Sequence, residues 1–503
     1  MHMKKVMISA LALVSVAGMA QAQFTGPSTT TSPYVRPALA SGVSTTSILT
    51  VGDSIGGYRM VGIPDGMGAF SNNDGTFTLL MNHELGATVG VERAHGSKGA
   101  FVSRWNIGSN LVVNSGRDHN TSANDVYTYN LGTGSYTQGT TAFARLCSAD
   151  LADASAYKFT DIDGTVYGTD SRIFMNGEET GNEGRAFAHI VTGANTNQSW
   201  ELPYLGKFSW ENSVANPKAQ KKTIVVGTDD TTPGQAYVYV GNKKTAGNDI
   251  QKAGLADGKL YGIKASFGAA ENRTTTPVNS TFSMVEVNPL QTGGNLQTQS
   301  TSLGVTEFLR PEDGAFDARA GFENNFYFVT TDRFSTSTQV GRSRLWQMTF
   351  NDVANPEAGG SLKMLMQGTE GQQMFDNMCV DKFGRILIQE DVGNNAHLGK
   401  IWIYDIATGQ YGVVATSDQS RFLNGAPNFL TQDEESSGII DASAILGDGH
   451  YIINMQSHNS LGGELVEGGQ LLSLFVDPSI IPAPGAMGVL AVGALAASRR
   501  RRA

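Results

Sequence analysis

The sequence predicts an all-β chain, closed as a β-propeller, and three observations carry that expectation. Short apolar or alternating runs recur throughout the body, and no helix-period segment of comparable weight competes with them. Glycine, asparagine and aspartate separate the runs: the chain of 503 residues holds 60 glycines and only 16% charged residues, a composition of many turns and short strands. The third observation is that acidic residues stand repeatedly where such a run ends.

Taken in order, the strand-like runs are Phe77 to Met81, Val126 to Leu131, Thr223 to Val226, Ala236 to Val240, Lys259 to Lys264 and Phe282 to Val287. Asn325 to Val329, Leu345 to Phe350, Arg385 to Gln389, Lys400 to Tyr404, Tyr451 to Met455 and Leu471 to Val476 follow. Hairpin chemistry precedes several of them, as in Asn73-Asp74-Gly75, Lys382-Phe383-Gly384 and Gly447-Asp448-Gly449. Strands at this density favour a repeated architecture that closes on itself and leaves few exposed edges. No strict period is visible, so the blades are divergent, and a pair of sandwiches or a solenoid remains open. Polar inserts at 243–257 and 271–280 read as long surface loops.

The ends have their own chemistry. Lys4 and Lys5 precede an apolar run, Val6 to Met19, and Ala20-Gln21-Ala22 fits a cleavage site, so residues 1–22 are expected to be a signal peptide for the general secretory route. Residues 23–47, rich in Ser, Thr, Pro and Ala, are expected to form an extended leader before a propeller body at 48–478. Residues 479–503 combine Pro482-Ala483-Pro484-Gly485, a short apolar stretch and Arg499 to Arg502. That stretch, Ala486 to Ala497, is shorter than the roughly 20 residues a spanning helix needs. The order resembles Pro-Glu-Pro type C-terminal sorting signals, which implies a membrane sorting protease as partner, transient anchoring in the membrane and a destination at the cell surface or in exopolysaccharide.

A net charge of -10 argues against sequence-independent nucleic-acid binding, which needs a dense basic face. Cys147 and Cys379 lack metal-type spacing and read as buried core residues.

The acids form the functional signal. Asn82-His83-Glu84, Glu178-Glu179, Glu211-Asn212, Asp229-Asp230, Glu312-Asp313, Asp376-Asn377 and Glu390-Asp391 each follow an apolar run. In a propeller, loops from successive blades converge on one mouth of the axis, so acids at equivalent strand ends meet in space. Carboxylates and amide carbonyls are the ligands of hard cations such as calcium, and glutamates also suit a harder transition ion. Arg310, two residues before Glu312 with Pro311 between them, is the basic candidate, a guanidinium fork for a tetrahedral oxyanion or a partner for a nearby acid.

These motifs, with Asn176-Gly177-Glu178-Glu179, Arg310-Pro311-Glu312 and the late Asn454-Met455-Gln456-Ser457-His458, occur in an order that resembles the PhoX-type alkaline phosphatases, from about Asp65 to His458. The resemblance implies a six-bladed propeller with calcium and ferric iron at the channel mouth, and hydrolysis of phosphate monoesters outside the cytoplasm. It makes Glu178, Glu211 and Glu312 iron-side carboxylates, with Asn82, Glu84, Glu179, Asp229, Asp230, Asp376 and Glu390 as further metal ligands. Arg310 becomes the phosphate clamp, and Arg310 with Glu312 the catalytic pair. The family carries a cysteine immediately before the paired glutamates. Gly177 stands there instead, and Trp210 stands where a histidine usually precedes the glutamate matched by Glu211. The departures favour calcium over ferric iron. They also set a second reading beside the phosphoesterase, a catalytically silent surface propeller that binds calcium or exopolysaccharide.

Overall fold

The computed structural model describes residues 22–232, 234–332 and 342–480. The expected signal peptide apart from Ala22, and the expected sorting tail from residue 481 onward, lie outside the described residues. What is described is an all-β propeller built of mainly antiparallel sheets around an axis.

The first sheet runs outward from the axis as Pro64–Ser71, Thr76–His83, Phe101–Gly108 and Val113–Asp118. The second has Leu146–Asp150 innermost, followed by Ile173–Glu178, Ala186–Ile190 and Ser199–Glu201. Two further sets, opening with Trp210–Ala215 and Pro311–Phe316, join edge to edge where Asn279–Val287 pairs with Gly360–Met366. Phe375–Val380 opens a five-stranded sheet. Ile439–Asp441 belongs to the last one, beside His450–Gly462 and Val466–Val476. Among the described residues these innermost strands succeed one another around the axis, each packed on the next, and Ile439–Asp441 packs back on Pro64–Ser71.

Apolar layers lie between neighbouring sheets. Leu80 and Val102 meet Phe174 and Phe187, and Val226 and Val238 meet Phe326 and Trp346. Near the axis the strands crowd: a Cβ on Gly66 would stand 2.3 Å from the Ala149 nitrogen, so only glycine fits there.

The expected leader is a correction. Val43–Thr50 pairs antiparallel with Val466–Val476, Ala22–Thr25 pairs with Val43–Thr50, and Val35–Pro37 pairs with Tyr411–Ser417. The early chain thus completes the sheet begun by the late chain, closing the ring and covering an edge that would otherwise invite pairing. Its Ser/Thr composition misleads because Thr45 and Ser47 are buried with their hydroxyls bonded to the Val35 and Thr31 carbonyls. The structure also contains a helix, Gly293–Leu303, capped by Thr292 and ended by Gly304 in the left-handed region. Its sequence has no apolar stripe, which is why periodicity does not reveal it.

Candidate metal centre

One local design repeats at the mouth. In five inner strands the register slips between the first and fourth residues: Pro64/Met67, Leu146/Ala149, Trp210/Ser213, Pro311/Gly314 and Phe375/Met378. A bulge re-aims the residue inside it. That residue is Asp65, Cys147, Glu211, Glu312 or Asp376, all five buried. The first inner residue pairs in each case with the last residue of the next strand: His83, Glu178, Asp229, Thr330 and Glu390. Successive strand residues face opposite ways, so it is the residue after that pair that turns toward the axis. These are Glu84, Glu179, Asp230, Thr331 and Asp391.

The result is a continuous chain of acids joined through one thiol. Asp65, Glu84 and Cys147 offer ligand atoms within 4.8 Å of one another, as do Cys147, Glu179 and Glu211, and as do Glu211, Asp230 and Glu312. Asp376 sits beside Glu312 and Glu211 in the same field. Of the sequence-predicted ligands, Glu84, Glu179, Glu211, Asp230, Glu312 and Asp376 therefore come together.

Four others do not. Glu178 points into its own blade, where Arg185 Nε and Nη2 donate to it at 2.7 and 2.6 Å. Asp229 accepts from the Thr231 hydroxyl, 3.0 Å, and Glu390 from Trp402 Nε1, 2.8 Å, and the Gln373 nitrogen, 2.9 Å. Each of the three is one residue out of phase with the axis. Asn82 is a strut: its amide nitrogen donates to the Cys147 carbonyl at 2.6 Å, and its oxygen accepts from Asn176 Nδ2 at 2.8 Å.

Sequence reasoning misses Asp65 and Cys147. Cys147 is, as expected, a free buried thiol, but its Sγ lies 3.7 Å from Asp65 Oδ2 in the acid group, whereas Cys379 belongs to an apolar cluster. The usable signal is the spacing: Arg145-Leu146-Cys147 repeats Arg310-Pro311-Glu312, residue for residue along the inner strand. Gly177 has no room for a thiol, since a Cβ there would stand 2.3 Å from Trp210 Cβ.

Electrostatics follow from crowding in a dry site. Burial, and then neighbouring carboxylates, push Asp65, Glu211, Glu312 and Asp376 well above the usual acid range. Glu179 rises for the same reasons, with Glu84 the largest charge acting on it. Asp65 Oδ1 and Asp376 Oδ1 are buried with no hydrogen-bond partner among the described residues. Such a set cannot stay ionised without cations, and its carboxylate oxygens fit calcium while the Cys147 sulfur adds a softer donor of the kind iron accepts.

Arg310, in the left-handed region at φ 58°, closes one side. Its Nε and Nη2 donate to the two Asp230 oxygens at 2.8 and 2.7 Å, and Nη2 lies 3.1 Å from Glu312 Oε1. The fork expected to grip an oxyanion is thus occupied by Asp230, leaving the Nη1 edge for a ligand.

The family profile described as alkaline phosphatase PhoX matches residues 163–441. Pseudomonas fluorescens PhoX, solved in complex with vanadate, a transition state analogue, is similar in fold with a TM-score of 0.57 at 13% identity, over 92% of this chain and 99% of that one. A sialidase from Streptococcus pneumoniae, NanB, gives a TM-score of 0.36 at 9% identity over 86% of this chain and 70% of its own. A putative 6-phosphogluconolactonase from Bacteroides uniformis gives 0.31 at 11% identity over 68% and 82%. No curated protein sequence matches the chain. With a family match over more than half of its residues and a propeller that superimposes across its length, the chain belongs to the PhoX family of alkaline phosphatases.

Proposed function

We propose that this chain is a metal-dependent phosphomonoesterase, a six-bladed propeller that hydrolyses phosphate monoesters at one mouth of its axis. The observation that carries the reading is the buried group Glu211, Asp230 and Glu312 set against the Arg310 guanidinium. It joins a cation-binding acid cluster to a donor for an oxyanion.

Asp65, Glu84, Cys147, Glu179, Glu211, Asp230, Glu312 and Asp376 would hold the metal, calcium together with ferric iron. When bound, the metal supplies positive charge against the phosphoryl oxygens and Lewis acidity for attack on phosphorus. The chain's own residues do the rest. Asp230 fixes the Arg310 fork and aims Nη1 at the mouth, where it donates to a phosphoryl oxygen as charge builds. Ser148 donates to Glu211 Oε1, and Gln456 Nε2 donates to Asp65 Oδ2 at 2.8 Å and Glu84 Oε2 at 3.0 Å, so the cluster is held at one end and at its middle. Cys147 supplies the thiol that Gly177 cannot, which supports iron beside calcium.

We infer in addition, from residues 1–22 and 479–503, that the protein is exported and retained at the surface after sorting. Hydrolysis of 4-nitrophenyl phosphate by the purified protein tests the main reading, assayed with calcium, with ferric iron and after chelation. Turnover that chelation abolishes and metal restores is expected. A metal-loaded protein with no turnover under any condition overturns it.

A further inference from the structure

Arg310 has a counterpart. Four residues that immediately precede an inner strand lie in the left-handed region: Ile63 at φ 53°, Arg145 at 43°, Arg310 at 58° and Met374 at 56°. Side chains other than glycine hold that conformation at a cost, and such strain collects at functional sites. Two of the four are arginines, on the inner strands either side of Trp210–Ala215.

The two arginines are bound in the same way. Arg145 Nε donates to the Glu179 carbonyl at 3.0 Å, and its Nη2 meets Glu84 Oε1 at 2.7 Å and also Glu179 Oε2. Arg310 uses Nε and Nη2 on Asp230 and Glu312. In both, Nη1 has no hydrogen-bond partner among the described residues, and both side chains reach solvent, Arg145 at 49% exposure and Arg310 at 25%. Their anchoring acids share a neighbour: Glu179 groups with Glu211, and Glu211 with Asp230 and Glu312. The mouth is thus framed by two guanidiniums, each one carboxylate away from Glu211.

A phosphate monoester carries two negative charges over three oxygens, and the single Nη1 edge of Arg310 answers only part of that. We propose that Arg145 is a second phosphate-contacting residue, its Nη1 donating to a phosphoryl oxygen from the side opposite Arg310. This assignment rests on the phosphomonoesterase reading above and deepens it: two cationic donors select a dianionic monoester over a monoanionic diester. Its electrostatic logic is the charge-assisted hydrogen bond, about twice as strong as a neutral one.

The test uses the metal-loaded full chain, 4-nitrophenyl phosphate as substrate and inorganic phosphate as competing ligand. Arg145→Ala is expected to raise the phosphate inhibition constant about tenfold or more, the loss of one charged hydrogen bond. Metal per chain should stay unchanged, and the preference for 4-nitrophenyl phosphate over bis(4-nitrophenyl) phosphate should fall. Guanidinium ion in the buffer restores part of the affinity to Arg145→Ala, and Arg145→Lys, a point charge without the fork, falls between. Two results overturn the proposal. One is an Arg145→Ala protein that hydrolyses the ester and binds phosphate within about twofold of wild type, short of the loss of a charged hydrogen bond. The other is a variant that loses metal along with activity and is not rescued by guanidinium, which makes Arg145 a brace for Glu84 and Glu179. A metal-loaded wild type that neither hydrolyses the ester nor binds phosphate refutes the phosphomonoesterase reading itself, and this proposal with it.

Discussion

Glu178 and Glu179 are adjacent, equally charged and, in this structure, opposite in role, so exchanging each for glutamine should give opposite phenotypes. Glu178 has a side chain 4% exposed and accepts from Arg185 Nε at 2.7 Å, Arg185 Nη2 at 2.6 Å and the Ala144 nitrogen at 3.1 Å. Arg185 is itself 19% exposed, so Glu178→Gln leaves a largely buried guanidinium facing an amide. Breaking one side of a buried pair costs about 3–5 kcal/mol, and the lower end applies because glutamine keeps one acceptor. Glu179 instead faces Glu84, Arg145 and the Cys147–Glu211 group, and its neighbouring acids repel it. Burial and those acids already disfavour its charge when no cation is bound, and glutamine matches the uncharged acid in shape, so Glu179→Gln should leave the metal-free protein within about 1 kcal/mol of wild type while lowering bound metal. Urea unfolding of chelated protein reads the first quantity and elemental analysis of gel-filtered protein the second. The alternation argument is refuted if Glu178→Gln strips metal without changing unfolding, or if Glu179→Gln keeps the full metal complement.

Cys147→Ser exchanges a soft donor for a hard one, so the ratio of iron to calcium recovered with the protein should fall; an unchanged ratio places the thiol outside the centre. Gly177→Cys must displace Trp210, whose Cβ lies 2.3 Å from the added atom, and should cost about 1–3 kcal/mol in urea unfolding, as overpacking does. A variant as stable as wild type would show that the Trp210 contact is not a constraint. Lys243 Nζ donates to the Gln220 and Lys222 carbonyls, and burial pulls its pKa from 10.5 to about 7. Between those values the unfolded chain binds the extra proton, so this lysine makes wild-type stability rise with pH from about 7 to about 10.5. Lys243→Met removes the rise, and its melting temperature relative to wild type should therefore drop steadily between pH 7 and pH 10; a constant difference would refute the shifted pKa.

The sequence by itself determined the strands and the existence of the site. Runs such as Phe77 to Met81 and Arg385 to Gln389 are legible because a strand that packs on both faces reads as continuous apolar sequence. Acids at their ends are legible because nothing in turn chemistry calls for glutamate there. Glu84, Glu179, Glu211 and Glu312 were within reach on that basis, and Asp230 and Asp376, residues that turns also favour, through the repetition of the pattern.

Only the tertiary structure decided phase and partnership. A strand end carrying two adjacent acids presents one to the axis and one to the blade, and the register of the pair Leu146 with Glu178 selects Glu179 for the axis. The same register sends Asp229 and Glu390 away from the site. Asp65 and Cys147 were hidden because each stands alone in sequence and acquires its role at a bulge, where the backbone re-aims it beside residues from other blades. Closure was hidden too: the pairing of Val43–Thr50 with Val466–Val476 joins segments more than 400 residues apart, a contact no local pattern encodes. Local propensity sets the strands, whereas the convergence of their ends on one axis sets which charges meet and so where a cation is needed.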